Sequence, residues 1–271
     1  MRAIPLWKTI GGWFWLAPEK SGRKLPWPVV ALNWLLAFLV YALICVFSFA
    51  QLRYNWNWDS VAGYSSFFVN GWLVTLAISA VALVLSTLIG LLAALARRSP
   101  LLVLRAFSRF YVEIIRGTPL LVQISFAFYV VADAFKIQNR WLVGVVTLSL
   151  FSGAFISEII RGGIESVGAS QLESARAIGF TRWQTYRFVI FPQAIRVILP
   201  ALAGMFASLI KDSSLLSIIS ISEFTWSAQQ VAALTYSNFE CYIPLAIGYL
   251  ILTLPLTLWT QWLEKRTRYE T

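Results

Sequence analysis

Lys211, Asp212, Ser213 and Ser214 follow one another inside an otherwise apolar stretch, placing a cation, an anion and two hydroxyls where hydrocarbon-compatible side chains are expected. An ionisable group near mid-bilayer costs about 2.5–3.5 kcal/mol on insertion scales, so each needs a partner or a purpose. A zwitterionic solute carries both a carboxylate and an ammonium group, and opposite charges at one depth suit a translocation path for it. Neighbours on a helix project about 100° apart, however, so Lys211 and Asp212 cannot both point straight into one pore. Helix packing or a network between subunits is the competing reading. Two more charge pairs lie near other apolar runs. Glu113 and Arg116 are spaced to share a helical face and pair, as a structural ion pair or as a gate or inter-subunit contact. Glu158 and Arg161 repeat that spacing, as a structural pair or as a contact to substrate. The chain has no histidine and only two cysteines, Cys45 and Cys241, which argues against zinc, haem or thiol-relay chemistry and leaves no catalytic or metal-binding set.

The elements that must hold these charges are membrane spans. Of 271 residues, 59% are hydrophobic and 13% charged, and the mean hydropathy is +0.71, far from a soluble domain. A spanning helix needs roughly 20 apolar residues, and six stretches qualify: 28–50, 72–96, 110–132, 141–160, 197–221 and 242–262. Pro119 removes a backbone donor and is expected to kink the third. The first is too long for the core of a cleaved signal and reads as a retained anchor.

The net charge of +10 does not point to nucleic acid, because the basic residues sit in the short connecting segments. Arg2, Lys8, Lys20, Arg23 and Lys24 precede the first span; Arg97, Arg98, Arg105 and Arg109 follow the second. Arg161, Arg176, Arg182, Arg187 and Arg196 follow the fourth, and Lys265, Arg266 and Arg268 follow the last. The alternate loops hold Arg53, then Lys136 and Arg140, then none over 222–240. Both termini are therefore expected inside. The division is a tail over 1–27, a helix over 28–50, an external loop over 51–70, a transmembrane domain over 71–264 and a tail over 265–271. Residues 7–27 read as an interfacial amphipathic stretch, and Trp and Tyr near the span ends read as belt anchors.

The longest inner link, about 165–192, carries its own punctuation. Ser170 with Glu173 reads as a capping box that starts a helix, Gly179 as its left-handed C-cap, and Thr181 with Gln184 as a weaker second box. The expectation is helix, glycine turn, helix, ending at Pro192. Leu172, Ala175 and Ile178 form a thin apolar stripe on the first helix, which must rest either on the protein's own inner face or on a partner, because so short a helix is marginal alone.

The run ESARAIG, then nine residues, then VIFP ending at Pro192 closely resembles the EAA loop of ABC importer permeases. Ser174, Val189 and Phe191 depart from the pattern. EIIRGTPLLVQ (113–123), SEIIRGGIESV (157–167), FPQAIRVILPAL (191–202) and LIKDSSLLSIISISE (209–223) resemble the polar amino acid uptake branch of that family, as do Gln229, Thr235, Phe239 and Glu240. Ser220 stands where relatives often carry Gly. The resemblance covers roughly 71–268 and leaves out the first 70 residues.

The resemblance implies an all-α integral membrane protein, a five-helix permease core with one extra N-terminal transmembrane helix, in a bacterial inner membrane. Glu173, Ala175, Arg176, Gly179 and Arg182 would couple it to an ATPase subunit, and Lys211, Asp212, Ser213 and Glu158 would line a substrate path. The other implied partners are a periplasmic or tethered amino acid-binding protein and a second permease, identical or sister. No phosphate-binding G-x-x-x-x-G-K-[ST] occurs, so ATP and magnesium would be used by the partner, with no cofactor in this chain. A stand-alone secondary transporter or channel would also explain helices and intramembrane charge, but not a capped helix pair in an inner loop. A membrane enzyme would need a catalytic cluster that the sequence lacks.

Overall fold

The computed structural model describes residues 27–51 and 54–267. The expected interfacial stretch, apart from Trp27, lies outside them, as do the basic residues of the N-terminal tail, Arg53 and Arg268. The chain divides into two units, Met1–Trp56 and Asn57–Thr271. In the first, α1 (Trp27–Ala50) is apolar all round. Its 24 residues exceed the roughly 20 that hydrocarbon requires.

The second unit opens with a short α2 (Trp58–Ala62), whose N-cap Asn57 accepts a bond from the Ser60 amide, so the expected loop over 51–70 holds a helix. Then come α3 (Ser65–Arg97), α4 (Leu102–Gly117), α5 (Leu120–Ala132), α6 (Arg140–Glu165), α7 (Ala169–Ala177), α8 (Arg182–Ile219), α9 (Phe224–Thr235) and α10 (Asn238–Thr267). Of these, α3, α6, α8 and α10 are long and apolar enough to cross a bilayer.

The expected third span is not one kinked helix. It is two helices, α4 and α5, bent by 108° at a break. Pro119 disfavours the helical region for the residue before it, and Thr118 and Pro119 are both extended, with ψ of 146° and 138°. The expected fifth span also differs, because nothing stops at Pro192. A π-helical turn over Thr185–Ile190 precedes the proline, and the helix continues through Phe191–Asp212 into a 3-10 stretch, Ser213–Ile219. Such a turn widens the backbone ladder where the proline lacks an N–H. At 38 residues, α8 is nearly 60 Å long at about 1.5 Å per residue, roughly twice the hydrocarbon thickness.

Small residues set the packing. α3 lies along α6 with Gly90 against Ile156 and Gly153 against Ile89, and a Cβ on either glycine would come within 2.6–2.8 Å of the opposing isoleucine. Lipid offers apolar side chains no reason to leave it, so membrane helices associate through this kind of close approach. The core gathers Ile78 and Ala82 of α3, Leu120 and Ile124 of α5, Leu148 of α6, and Leu209, Leu216 and Ile219 of α8.

Candidate functional site

The coupling residues expected from the sequence lie on α7, the turn after it and, for Arg182, the first position of α8. The helix begins one residue before the expected capping box: Gly168 is the N-cap, with no side-chain hydrogen bond, so Ser170 and Glu173 do not cap it. The Ser170 carbonyl instead accepts a bond from the Ser174 hydroxyl at 2.9 Å. The C-terminus follows expectation. Gly179 has φ +81°, its amide donates to Arg176 O and the Phe180 amide to Ala175 O, each at 3.0 Å. These are the two bonds of a Schellman motif. The Thr181–Gln184 box is present in both directions, at 3.3 and 2.8 Å.

The apolar stripe of α7 splits. Ala175 is buried, and Leu172 packs on a cluster of Val167, Ile190, Ala194 and Ile198, so one edge of α7 is anchored to α8. Ile178 is left 69% exposed and Trp183, beyond the turn, 75%. Glu173, Arg176 and Arg182 are exposed beside them. The result is a short helix held on one side by its own protein, with two exposed apolar side chains and three exposed charges spread over the helix, its turn and the start of α8.

Near α7, four arginines and three carboxylates form two sets of ion pairs. Glu113 does not pair with Arg116, as the spacing suggested. It accepts from Arg109 at 2.7 Å, while Arg116 reaches across to Glu158 at 3.3 Å. Glu158 also takes Arg97 and, at 2.8 Å, Arg161, which in turn bridges to Glu165. Its side chain is only 16% exposed. A carboxylate so far withdrawn from water is stabilised by several cations, whereas exposed Glu113 has little to gain from a second one. Glu158 therefore ties together the end of α3, the end of α4 just before the break, and α6. The Arg116 guanidinium also lies over the Phe155 ring at 5.4 Å.

Lys211 and Asp212 end the α-helical part of α8, just before the 3-10 turn. Lys211 is exposed and Asp212 half-buried, and neither forms an ion pair among the described residues. Ser213 is fully buried, with its hydroxyl donating to Ile210 O at 2.7 Å. Its oxygen is thus committed to the helix backbone. The turn closes on Ser220 at φ 55°, whose carbonyl accepts from Arg140 at 3.1 Å.

Two buried acids lie at the far end of the bundle from α7, and the sequence reading gave neither a structural role. Glu223 is fully buried and caps α9, accepting from the Thr225 and Trp226 amides at 2.8 and 2.7 Å and from the Tyr249 hydroxyl at 3.0 Å. Burial pushes its pKa up to about 7, against the lowering effect of those hydrogen bonds. The neighbouring Phe224 amide donates to Thr75 of α3 at 3.1 Å, so α9 is bound to both α3 and α10. Glu240, also buried, accepts from the Asn57 amide at 2.5 Å. The region over 222–240 read as a loop, yet it holds α9, whose buried residues Phe224, Ser227, Ala228, Val231 and Ala232 recur at helical spacing. That spacing was the available signal for α9.

Residues 86–269 match the family described as binding-protein-dependent transport system inner membrane component. A probable glutamine ABC transporter permease of Bacillus subtilis (strain 168) is 38% identical over 202 residues, covering 74% of this chain and 93% of its own length. The glutamine transport system permease of Escherichia coli (strain K12) is 34% identical over 216 residues, covering 79% and 99%. Among solved structures, an amino acid ABC transporter crystallised with histidines superposes with a TM-score of 0.74 at 35% identity, over 79% of this chain and all of that one. An inward-facing methionine ABC transporter matches in fold at 18% identity, with a TM-score of 0.62 over 76% and 98%.

Proposed function

This chain belongs to the inner membrane components of binding-protein-dependent transport systems, and from that premise we propose that it is the permease for polar amino acids in an ATP-driven importer. Relatives named for glutamine and a structural neighbour crystallised with histidines support the substrate class. The importer as a whole includes an ATPase and a binding protein. In this reading the ATP and magnesium are used by the ATPase subunit, this chain holds no cofactor, and a second permease, identical or sister, completes the path.

One observation carries the coupling role: α7 is fixed to α8 by Leu172 and Ala175 while its other side is uncovered among the described residues. A load applied to Glu173, Arg176 and Ile178 would reach α8 through that buried edge, and one applied to Arg182 would act on α8 directly. The π-helical turn over Thr185–Ile190 lies between the contact and the rest of α8, which carries Lys211 and Asp212 at its far end. Asp212 is the candidate for the ammonium group common to amino acids, with Lys211 and Glu158 as further path residues and Ser213, buried and bonded to Ile210 O, bracing the helix beside them. The Glu158 cluster holds the α4–α5 break closed against α6 and so doubles as a lock on the α7 end. We place that end and both termini in the cytoplasm, from the distribution of Lys and Arg.

The test is uptake by proteoliposomes holding this chain with its ATPase and binding protein. Accumulation of a polar amino acid that requires ATP and all subunits is expected. Robust gradient-driven uptake by the isolated chain would replace this reading with that of a stand-alone transporter.

A further inference from the structure

The surface of α4 sorts into three faces at about 3.6 residues per turn. Ser108 and Val112 are buried against the bundle, with the Ser108 hydroxyl donating to Ala93 O of α3 at 2.8 Å. Val103, Phe107, Phe110 and Ile114 form a second face that nothing among the described residues covers, with Val103 at 78% exposure. Arg105 and Arg109 lie on the third. Arg97, at the end of α3, joins Leu102, Arg105, Ala106 and Arg109 to line a cleft of about 450 Å³.

The charges around this cleft do not balance. Glu158 is shared by Arg97, Arg116 and Arg161, while Glu113 takes Arg109 through its Nε, leaving the two terminal guanidinium nitrogens of Arg109 without a bonded partner among the described residues. Arg105 and Arg98 have no carboxylate partner among the described residues, and Arg98 lies instead over the Tyr186 ring at 5.7 Å. A helix with an apolar face and a basic face, turned by 108° from the helix that follows it, has the form of an element lying in the membrane interface. Basic pockets between membrane helices recognise phospholipid head groups.

We propose that the cleft between the end of α3 and the first turns of α4 binds the head group of an anionic phospholipid, its phosphate on Arg105 and Arg109 and its acyl chains along Val103, Phe107 and Phe110. Charge complementarity and an uncovered apolar face on the same helix select a lipid over a soluble anion. A free anion would use the arginines alone and leave that face bare.

Native mass spectrometry of the purified complex with phosphatidylglycerol reads this directly, and it is indifferent to which way the chain crosses the membrane. Wild type is expected to retain phosphatidylglycerol over phosphatidylcholine. The double variant R105Q/R109Q should weaken retention by roughly thirtyfold, from two headgroup contacts. R105K/R109K, which keeps the charge, and K265Q, which removes a charge lining a different cleft, should retain the lipid. Equal retention by R105Q/R109Q overturns the site. So does equal loss in K265Q, which would mean diffuse attraction, or displacement by inorganic phosphate, which would mean a free-anion site. Crosslinking of Arg105→Cys to another subunit in place of lipid would overturn the assignment of the occupant. Melting temperatures of the variants, measured alongside, separate loss of the site from loss of the fold, and wild type bypasses that question by its lipid preference alone.

Discussion

At the scale of single residues, Glu223 is a carboxylic acid buried with hydrogen-bond donors and, among the described residues, no cationic partner. Its pKa rises from 4.5 to about 7 on folding. Between those values the folded protein holds a proton that the unfolded chain has released. Stability is therefore greatest at and below pH 4.5, falls as the pH rises to 7, and levels off above it. The total change is on the order of 3 kcal/mol. Glu223→Gln should remove this slope, and thermal unfolding in micelles at pH 5 and pH 8 checks it; a variant as pH-sensitive as wild type would contradict the assignment. Ser220 adopts φ 55° without being glycine. Ser220→Gly should then stabilise by about 1 kcal/mol, since it relieves the Cβ clash of the left-handed region. A lowered unfolding midpoint would show instead that the serine side chain has a role its geometry does not reveal. Local spacing was a poor guide to the charges, because Glu113–Arg116 and Arg109–Glu113 are both sterically available on one helix. The choice fell to Glu158, a more buried acid on another helix.

At the scale of elements, α7 and its turn are the most legible part of the chain. Gly179 is required for its φ of +81°, and a Cβ there would meet nothing within 4 Å. Gly179→Val should therefore leave the membrane bundle intact and cost about 1–2 kcal/mol confined to the turn. Because that turn orients Ile178 and Trp183, ATP-dependent uptake should fall severalfold at normal abundance. Unchanged uptake would separate the turn from coupling. The start of α7 was misread because Ser170 and Glu173 have capping-box spacing, while Gly168 already has the extended ψ of 145° that an N-cap needs. The stop at Pro192 was misread for a different reason. A proline interrupts a regular ladder, but a preceding π-helical turn removes the conflict, and that turn depends on packing against α7 and the end of α6.

At the scale of the whole molecule, the orientation is the testable statement. With Cys45 and Cys241 replaced by alanine, a cysteine at exposed Ser65 should react with an impermeant maleimide in intact cells. One at exposed Ser170 on α7 should react only after permeabilisation. The opposite pattern would invert the proposed topology and place the coupling helix outside.

What the sequence determined alone is whatever depends on composition and local backbone chemistry. The run lengths required membrane spans, and the glycine turn and the Thr181–Gln184 box followed from φ preference and hydrogen-bonding reach. The tertiary structure decided which partner each group takes when several are within reach along the chain. It gave Arg116 to Glu158, turned a kink at Pro119 into a break, and carried α8 through Pro192. These outcomes turn on which surfaces meet and how much water they exclude, and a one-dimensional pattern does not contain that information.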